Sequence, residues 1–426
     1  MTNIKEINYE NYGSCISMSN QTIEMIVTVE KGPRIVYLGF IGEENVLFQD
    51  KEQKHFFLNN EISQICGQTA YHYLYGGHRF YLSPSHLPEA RYPDNEAVVY
   101  SMDDDGVLFQ APTQKTSGLQ LSYKIMLGET GSDFMIVHTA ANHSADTQRV
   151  ALCTSTMVKP GGFAVLPQNQ GNEFFVADRV YVYWPFTRLH DPRFDMHSDF
   201  MTVQQDASMD YPFKIGYNNM QGWISYVNGN TVLSKRYVHD AKAVYPDNDA
   251  SSQVYCSKDF LELTVQSPLY RIEPEDTVKH VENFSLFHTT ITEKPNNNEA
   301  YQTFLETRSC HLFRSQLLFY WFSCSIAAIW SILLWWRPPS NSVVKNIFVN
   351  STASFSVMTR PPMQRIFASL CSRVAFAQNA LVTTAARIPF TLLAAMEMPI
   401  PVPQQRMPFS ASPFATACAT CSAIGA

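Results

Sequence analysis

LQLSYKIML, residues 119–127, is the stretch whose reading decides the fold class. Leu119, Leu121, Tyr123, Ile125 and Leu127 leave an extended chain on one side, and Gln120, Ser122 and Lys124 leave it on the other. A period of two is what a strand with one buried face requires, because successive side chains of a pleated backbone point in opposite directions. The pattern recurs upstream, where Ile23, Met25, Val27 and Val29 alternate with Thr22, Glu24 and Thr28. It recurs downstream as well, where Leu261, Leu263 and Val265 alternate with Glu262 and Thr264. Turns rich in Gly, Pro, Asn and Asp separate such segments from about residue 4 to about residue 290. Sustained helical periodicity is hard to find there. The body therefore reads as an all-β antiparallel sandwich, not as a parallel sheet with crossover helices.

At 426 residues the chain is long enough for a substantial core, and its formal charge of −7 is unevenly spread. No acidic residue occurs between Glu306 and Glu397, while Arg314, Arg337, Lys345, Arg360, Arg365, Arg373 and Arg387 accumulate. The body is thus acidic and the last part basic. An acidic body lacks the clustered Lys and Arg that displace counterions from phosphates, so nucleic acid is excluded as a partner of the body. Cys15, Cys66, Cys153 and Cys256 are scattered, without metal-site or disulfide spacing, and read as buried thiols of a reducing compartment. The opening MTNIKEINYENYG carries no basic segment followed by an apolar run, so a cytoplasmic location is expected.

The text changes after about residue 308, so the expected domains are 1–308 and an unrelated tail, 309–426. Leu317 to Trp336 is an uncharged run of 20 residues, long enough to cross a bilayer core of about 30 Å. Beyond it lie Arg-, Ser-, Ala- and Pro-rich stretches. The tail reads as a foreign or non-native fusion, as a single membrane span, or as an interaction appendage, and membrane is a partner only under the second reading. Cys418 and Cys421 have the spacing of a redox or metal pair but lack a second pair.

Three stretches of the body carry chemistry. In YGGHRFYLSP (75–84) a glycine pair precedes His78 and Arg79, the placement of a turn that delivers polar side chains to a cleft. Arg79 can hold hydroxyls or a carboxylate, and His78 can exchange a proton; alternatively Arg79 pairs with Asp94 and staples a loop. The tetrapeptide YPDN occurs at 92–95 and again at 245–248, each time as a turn specified by Pro and Asp-Asn. YVYWPFTRLHDPRF (181–194) mixes aromatics, among them Trp184, with Arg188 and Asp191. Aromatic faces stack on the C–H faces of sugar rings while charged groups take the hydroxyls, so the mixture suits a saccharide cleft; core packing explains the aromatics equally well.

The order of motifs extends the reading. KGPRIVYLGFIGEENVLFQ (31–49), YGGHRFYLSP, FMIVHTAANHS, KPGGFAVLPQ, YVYWPFTRLHDPRF, KIGYNNMQGWISYV, LSKRYVHDAKAVYPDND and DFLELTVQSPLYRIEPEDTVKHVENFSLF together resemble the galactose-mutarotase-like, or aldose 1-epimerase-like, superfamily over about residues 5 to 290. The resemblance implies an antiparallel β-supersandwich with a carbohydrate cleft on a concave sheet face. It implies acid/base ring opening of an aldose or sugar phosphate: a base takes the anomeric proton, an acid protonates the ring oxygen, and no metal or organic cofactor is needed. The superfamily's base is typically a Glu on a late strand, which Glu262 matches. His78 is then the expected acid, with Arg79 orienting the sugar. His143, in an Asn-His-Ser resembling that of the epimerases, is the second candidate, although Ala145-Asp146-Thr147 departs from the motif's usual continuation. Lys235 and Arg236 beside His78 and Arg79 would make a basic pocket for an anionic sugar. Three readings stay open: an epimerase, a non-catalytic sugar-binding module, and a membrane-anchored sugar-binding protein.

Overall fold

The computed structural model describes residues 2–66, 69–84, 92–171 and 175–308. The alternating segments form strands, all antiparallel, in two large sheets of 11 and 10 strands among the described residues. In the first sheet the order is Asn3–Asn8, Ser14–Ser19, Ile23–Thr28, Ile35–Phe40, His78–Ser83, Gln148–Val158, Leu261–Gln266, Ser252–Cys256, Phe213–Tyr217 and Tyr181–Tyr183. Tyr270–Ile272 pairs beside this path with Gln148–Val158. The second sheet is centred on Thr231–Tyr237, Thr277–His288, Asp133–Asn142 and Leu119–Leu127. A two-stranded hairpin, Phe56–Leu58 with Tyr71–Tyr73, stands apart from both.

The period-two residues meet as expected. Leu119, Leu121, Tyr123 and Ile125 of the second sheet share one apolar cluster with Ile23, Met25, Val27, Leu261, Leu263 and Val265 of the first. Each sheet keeps a second face. On the second sheet it is covered by a helical stretch, 298–308, whose Tyr301 and Phe304 pack on Phe163, Phe200 and Trp223. On the first sheet it carries the polar residues described below.

The glycine pair has a steric cause. Tyr75, Gly76 and Gly77 all have positive φ, 52°, 89° and 72°. A Cβ on Gly76 would lie 2.3 Å from the Phe48 carbonyl oxygen, and one on Gly77 would lie 2.0 Å from that of Ile35. The chain therefore enters the His78 strand through a left-handed turn squeezed between two backbones, which only glycine permits. Of the two YPDN segments, 92–95 is irregular and 246–249 a single helical turn in which Asp247, Asn248 and Asp249 all have positive φ, 53°, 56° and 65°.

Between the sheets lies a polar cluster that the apolar pattern did not announce. Lys235, completely buried, places its ammonium 3.3 Å from the Glu282 carboxylate and donates to Thr154 Oγ1 (2.9 Å) and Thr156 Oγ1 (3.2 Å). His78 Nε2 lies 3.1 Å from His138 Nε2, and His138 Nδ1 lies 3.3 Å from the His280 carbonyl oxygen. A carbonyl only accepts, so His138 carries its proton on Nδ1 and accepts at Nε2 from His78. His78 Nδ1 then accepts from the Thr156 hydroxyl, 2.9 Å away. Protons thus point one way, from Lys235 through Thr156 and His78 to His138. Burial pushes the pKa of both imidazoles down, helped by the neighbouring cations, to about 3 for His138. Burial works most strongly against ionised Glu282, but Lys235, the hydrogen bond to His280 and the neighbouring imidazoles together outweigh it and hold the carboxyl well below its usual range.

The expected tail, its uncharged run 317–336 and the Cys418–Cys421 pair lie outside the described residues. Among the described residues no helix is long and apolar enough to cross a membrane. Cys15, Cys153 and Cys256 are free and buried.

Candidate functional site

Strand alternation assembles the site. On the first sheet, the face opposite Leu261, Leu263 and Val265 carries side chains in cross-strand rows. Arg79, Ser155, Thr264 and Gln253 stand opposite one another in one row, and Met157, Glu262, Tyr255 and Lys214 in the next. Tyr81, Cys153 and Gln266 form a third. Neighbours in a row sit side by side at strand spacing, so residues as distant in sequence as Arg79 and Thr264, 185 positions apart, fall within two strands of each other.

Glu262 is the uncommitted group of this face. It is half-buried and accepts a 2.9 Å hydrogen bond from Thr264 Oγ1, and among the described residues no Lys or Arg comes within ion-pair distance of it. Its charge is felt nearby: burial first, then Cys153 and Glu262, raise the Tyr81 hydroxyl far above its ordinary value. Ser155 Oγ, between Arg79 and Thr264, is buried without a hydrogen-bond partner among the described residues. A buried hydroxyl without a partner costs about 1–3 kcal/mol, and such groups concentrate where a ligand or water completes them.

Arg79 is held from several sides. Nη1 lies 2.9 Å from His72 Nε2, Nη2 donates to the Tyr92 carbonyl at 3.2 Å, and Nε is 3.7 Å from Asp94. Asp94 itself belongs to Arg34, which grips it through two bonds, Nε to Oδ2 at 2.7 Å and Nη2 to Oδ1 at 2.9 Å. That fork overcomes the cost of burial and keeps the Asp94 carboxyl ionised far below its usual range. The stapling alternative is thus realised by Arg34, a residue the sequence reading passed over, with Arg79 at its margin. A recess of about 40 Å³ beside Arg79, Tyr92 and Asp94 has room for about three waters but not for a sugar ring.

Trp184 closes one end of the face. Its ring lies over Lys214, 4.1 Å from Nζ to the centroid, in space left by Gly216, whose Cβ would stand 3.2 Å from the ring. Phe186 meets Tyr255 edge-on. The second YPDN segment contributes Asp247, whose Oδ2 accepts from Gln253 Nε2 (2.7 Å) and Gln266 Nε2 (3.1 Å) on the same face. Three successive left-handed residues at 247–249 mark a backbone held under strain by its contacts.

Other expected site residues lie elsewhere. His78 neighbours Arg79 in sequence, yet alternation turns it into the interior, with its pKa driven down and Lys235 and His138 for company. It does not share a face with Glu262. Nor is the expected basic pocket assembled: Lys235 points inward to Glu282, Arg236 points outward, where its charge acts on Arg308 of the covering helix, and Arg79 belongs to the other sheet. His143 is an exposed turn residue with Nε2 3.2 Å from Gln120 Oε1 of the second sheet. Asp191 is committed to Arg193, 2.7 Å away and equally buried, while Arg188 stacks 3.6 Å over Tyr211. Of the expected residues, Glu262, Arg79 and Trp184 are those that the first sheet's outer face brings together.

By residue type, His78, His138 and Glu282 are a ligand set for a metal ion, their donor atoms within 4.8 Å of one another. Lys235 already neutralises Glu282 there, so a dication would have to displace a buried ammonium.

No protein-family model and no curated protein sequence matches the chain. Solved structures of similar fold include a TPR-domain containing protein from Parabacteroides distasonis, 13% identical, TM-score 0.44, with 67% of this chain covered. The match spans about half, 49%, of that longer protein. A galactose mutarotase-like protein from Lactobacillus casei is 10% identical, TM-score 0.42, over 64% of this chain and 100% of its own. Another, from Clostridium acetobutylicum, is 11% identical, TM-score 0.35, over 68% and 99%. The likeness is one of fold.

Proposed function

We propose that the protein binds a saccharide on the outer face of its first sheet, with Glu262 and Arg79 at the centre and Tyr255 and Trp184 as apolar walls. One observation carries this reading: among the described residues Glu262 is a half-buried carboxylate without a cationic partner, on a face where a buried hydroxyl, Ser155, lacks a hydrogen-bond partner. Sugars present hydroxyls to such groups and C–H faces to aromatic rings, and need neither metal nor strong positive potential.

Interconversion of anomers is the activity this site would support if it is catalytic. Glu262 would accept the proton of the anomeric hydroxyl, and the ring oxygen would take one from a donor on the same face. Tyr81 and Tyr255 are the hydroxyl donors placed there, and the pKa of both is raised, chiefly by burial, so both hold their protons near neutrality. Residues 1–308 would form the sugar-binding domain.

Exchange-line NMR of α and β anomers across a panel of aldoses and hexose phosphates tests both levels. Accelerated exchange that disappears in Glu262→Gln establishes an isomerase. Line broadening without exchange leaves a binding module, and no perturbation by any sugar removes the reading.

A further inference from the structure

We infer that the ligand is an oligosaccharide lying across the strands, with Phe57 and Trp184 stacking on sugar units at its two ends; this rests on the saccharide reading above and deepens it. The hairpin Phe56–Leu58/Tyr71–Tyr73 stands at one end of the site face. His55 immediately precedes its first strand, and Phe57 within that strand is directly opposite His72. Both histidines reach the site face. His55 Nε2 lies 3.1 Å from Asp259 Oδ2, with its ring edge-on to Phe260, which precedes the Glu262 strand and whose ring centroid lies 5.8 Å from that of Tyr255. His72 bonds Arg79 at 2.9 Å. Between these two anchors the Phe57 ring lies stacked on His72, 4.6 Å between centroids, and remains 43% exposed.

The hairpin is pinned rather than loose. Arg34 Nη2 donates to the Tyr73 carbonyl and Asn95 Nδ2 to that of Tyr71, while Leu74 and His55 bond through their backbones. An exposed aromatic on a rigid support loses little entropy on meeting a ligand, which suits a stacking platform.

The face is wider than one sugar ring. From the Arg79 strand to the Tyr181–Tyr183 strand that leads into Trp184 the sheet advances five steps, about 24 Å at about 4.8 Å each. Glu262, Tyr255 and Lys214 fill the interval, so polar and aromatic groups continue well past the reach of one sugar ring. A monosaccharide at the centre could not reach both platforms at once.

The test uses the full chain and calorimetric titration with mono-, di-, tri- and tetrasaccharides of the malto-, cello- and galacto- series. In at least one series the trisaccharide should bind at least tenfold more tightly than the monosaccharide. Phe57→Ala and Trp184→Ala should each remove severalfold of that gain, and Phe57→Ala should leave monosaccharide affinity unchanged. The wild-type length series needs no variant and stands even if a variant fails to fold. Monosaccharide binding without any gain for longer chains, or a gain that both variants retain, overturns the inference and leaves the cleft reading intact. Binding of no saccharide of any length overturns both.

Discussion

His78 Nε2 lies 3.1 Å from His138 Nε2, with neither ring exposed, so the two imidazoles share one proton between facing nitrogens and stay neutral. The consequence is an acid-sensitive core. Both folded pKa values lie below the unfolded value of about 6.5, that of His138 at about 3, so in between the unfolded chain binds more protons than the native one. Stability is then lost as pH falls below about 6.5, by up to about 1.4 kcal/mol per pH unit for each imidazole. Thermal unfolding between pH 7.5 and 4.5 checks this: the expected result is a steep fall in Tm that His138→Gln makes shallower.

Lys235 and Glu282 are both fully buried, 3.3 Å apart, and hold the two sheets together through Thr154 and Thr156. Lys235→Met alone strands a carboxylate and should cost about 3–5 kcal/mol in urea unfolding. Lys235→Met combined with Glu282→Leu should cost less than the sum of the single changes, since no orphan charge remains.

The glycine turn predicts a contrast. Gly42 and Gly77 have similar positive φ, 80° and 72°, but a Cβ at Gly42 meets nothing within 4 Å and one at Gly77 meets the Ile35 carbonyl. Gly42→Ala should cost about 1 kcal/mol, and Gly77→Ala on the order of 3 kcal/mol or more. Equilibrium unfolding of the two variants measures the difference.

Arg34 holds Asp94 through two parallel bonds and also donates to the carbonyl oxygens of Leu74 and Tyr73. Lysine keeps the charge but not the fork, so Arg34→Lys should lose about 1–3 kcal/mol and loosen the hairpin. Hydrogen exchange at Tyr71–Tyr73 should rise in the variant and stay unchanged in the strand Leu119–Leu127.

How much of this was legible in the sequence depends on what kind of signal each residue leaves. The apolar half of every strand was readable, because burial imposes a period of two, and the same period placed Glu262 on the face away from Leu261 and Leu263. Applied to His78 and Arg79 it also forbids a shared cleft, since adjacent strand residues part company. The interior cluster left no such trace: Lys235, Thr154, Thr156, His138 and Glu282 sit at five inward positions on four strands where apolar residues are the rule, and only their mutual pairing makes burial tolerable. Ser155, Lys214, Tyr255 and Asp247 were missed for a different reason. Their alignment with Arg79 and Glu262 is a matter of register between strands distant in sequence, which no local pattern encodes. Asp191 was read as a ligand group because its partner Arg193, two residues on, closes a local ion pair that residue types alone do not distinguish from a cleft.

The most direct test of the central claim is saturation-transfer NMR of the full chain with a panel of saccharides, comparing wild type, Glu262→Gln and His143→Ala. If the outer face of the first sheet holds the sugar, transfer is seen in the wild type, lost in Glu262→Gln and kept in His143→Ala. Transfer to no saccharide, or transfer that survives in Glu262→Gln, would contradict it.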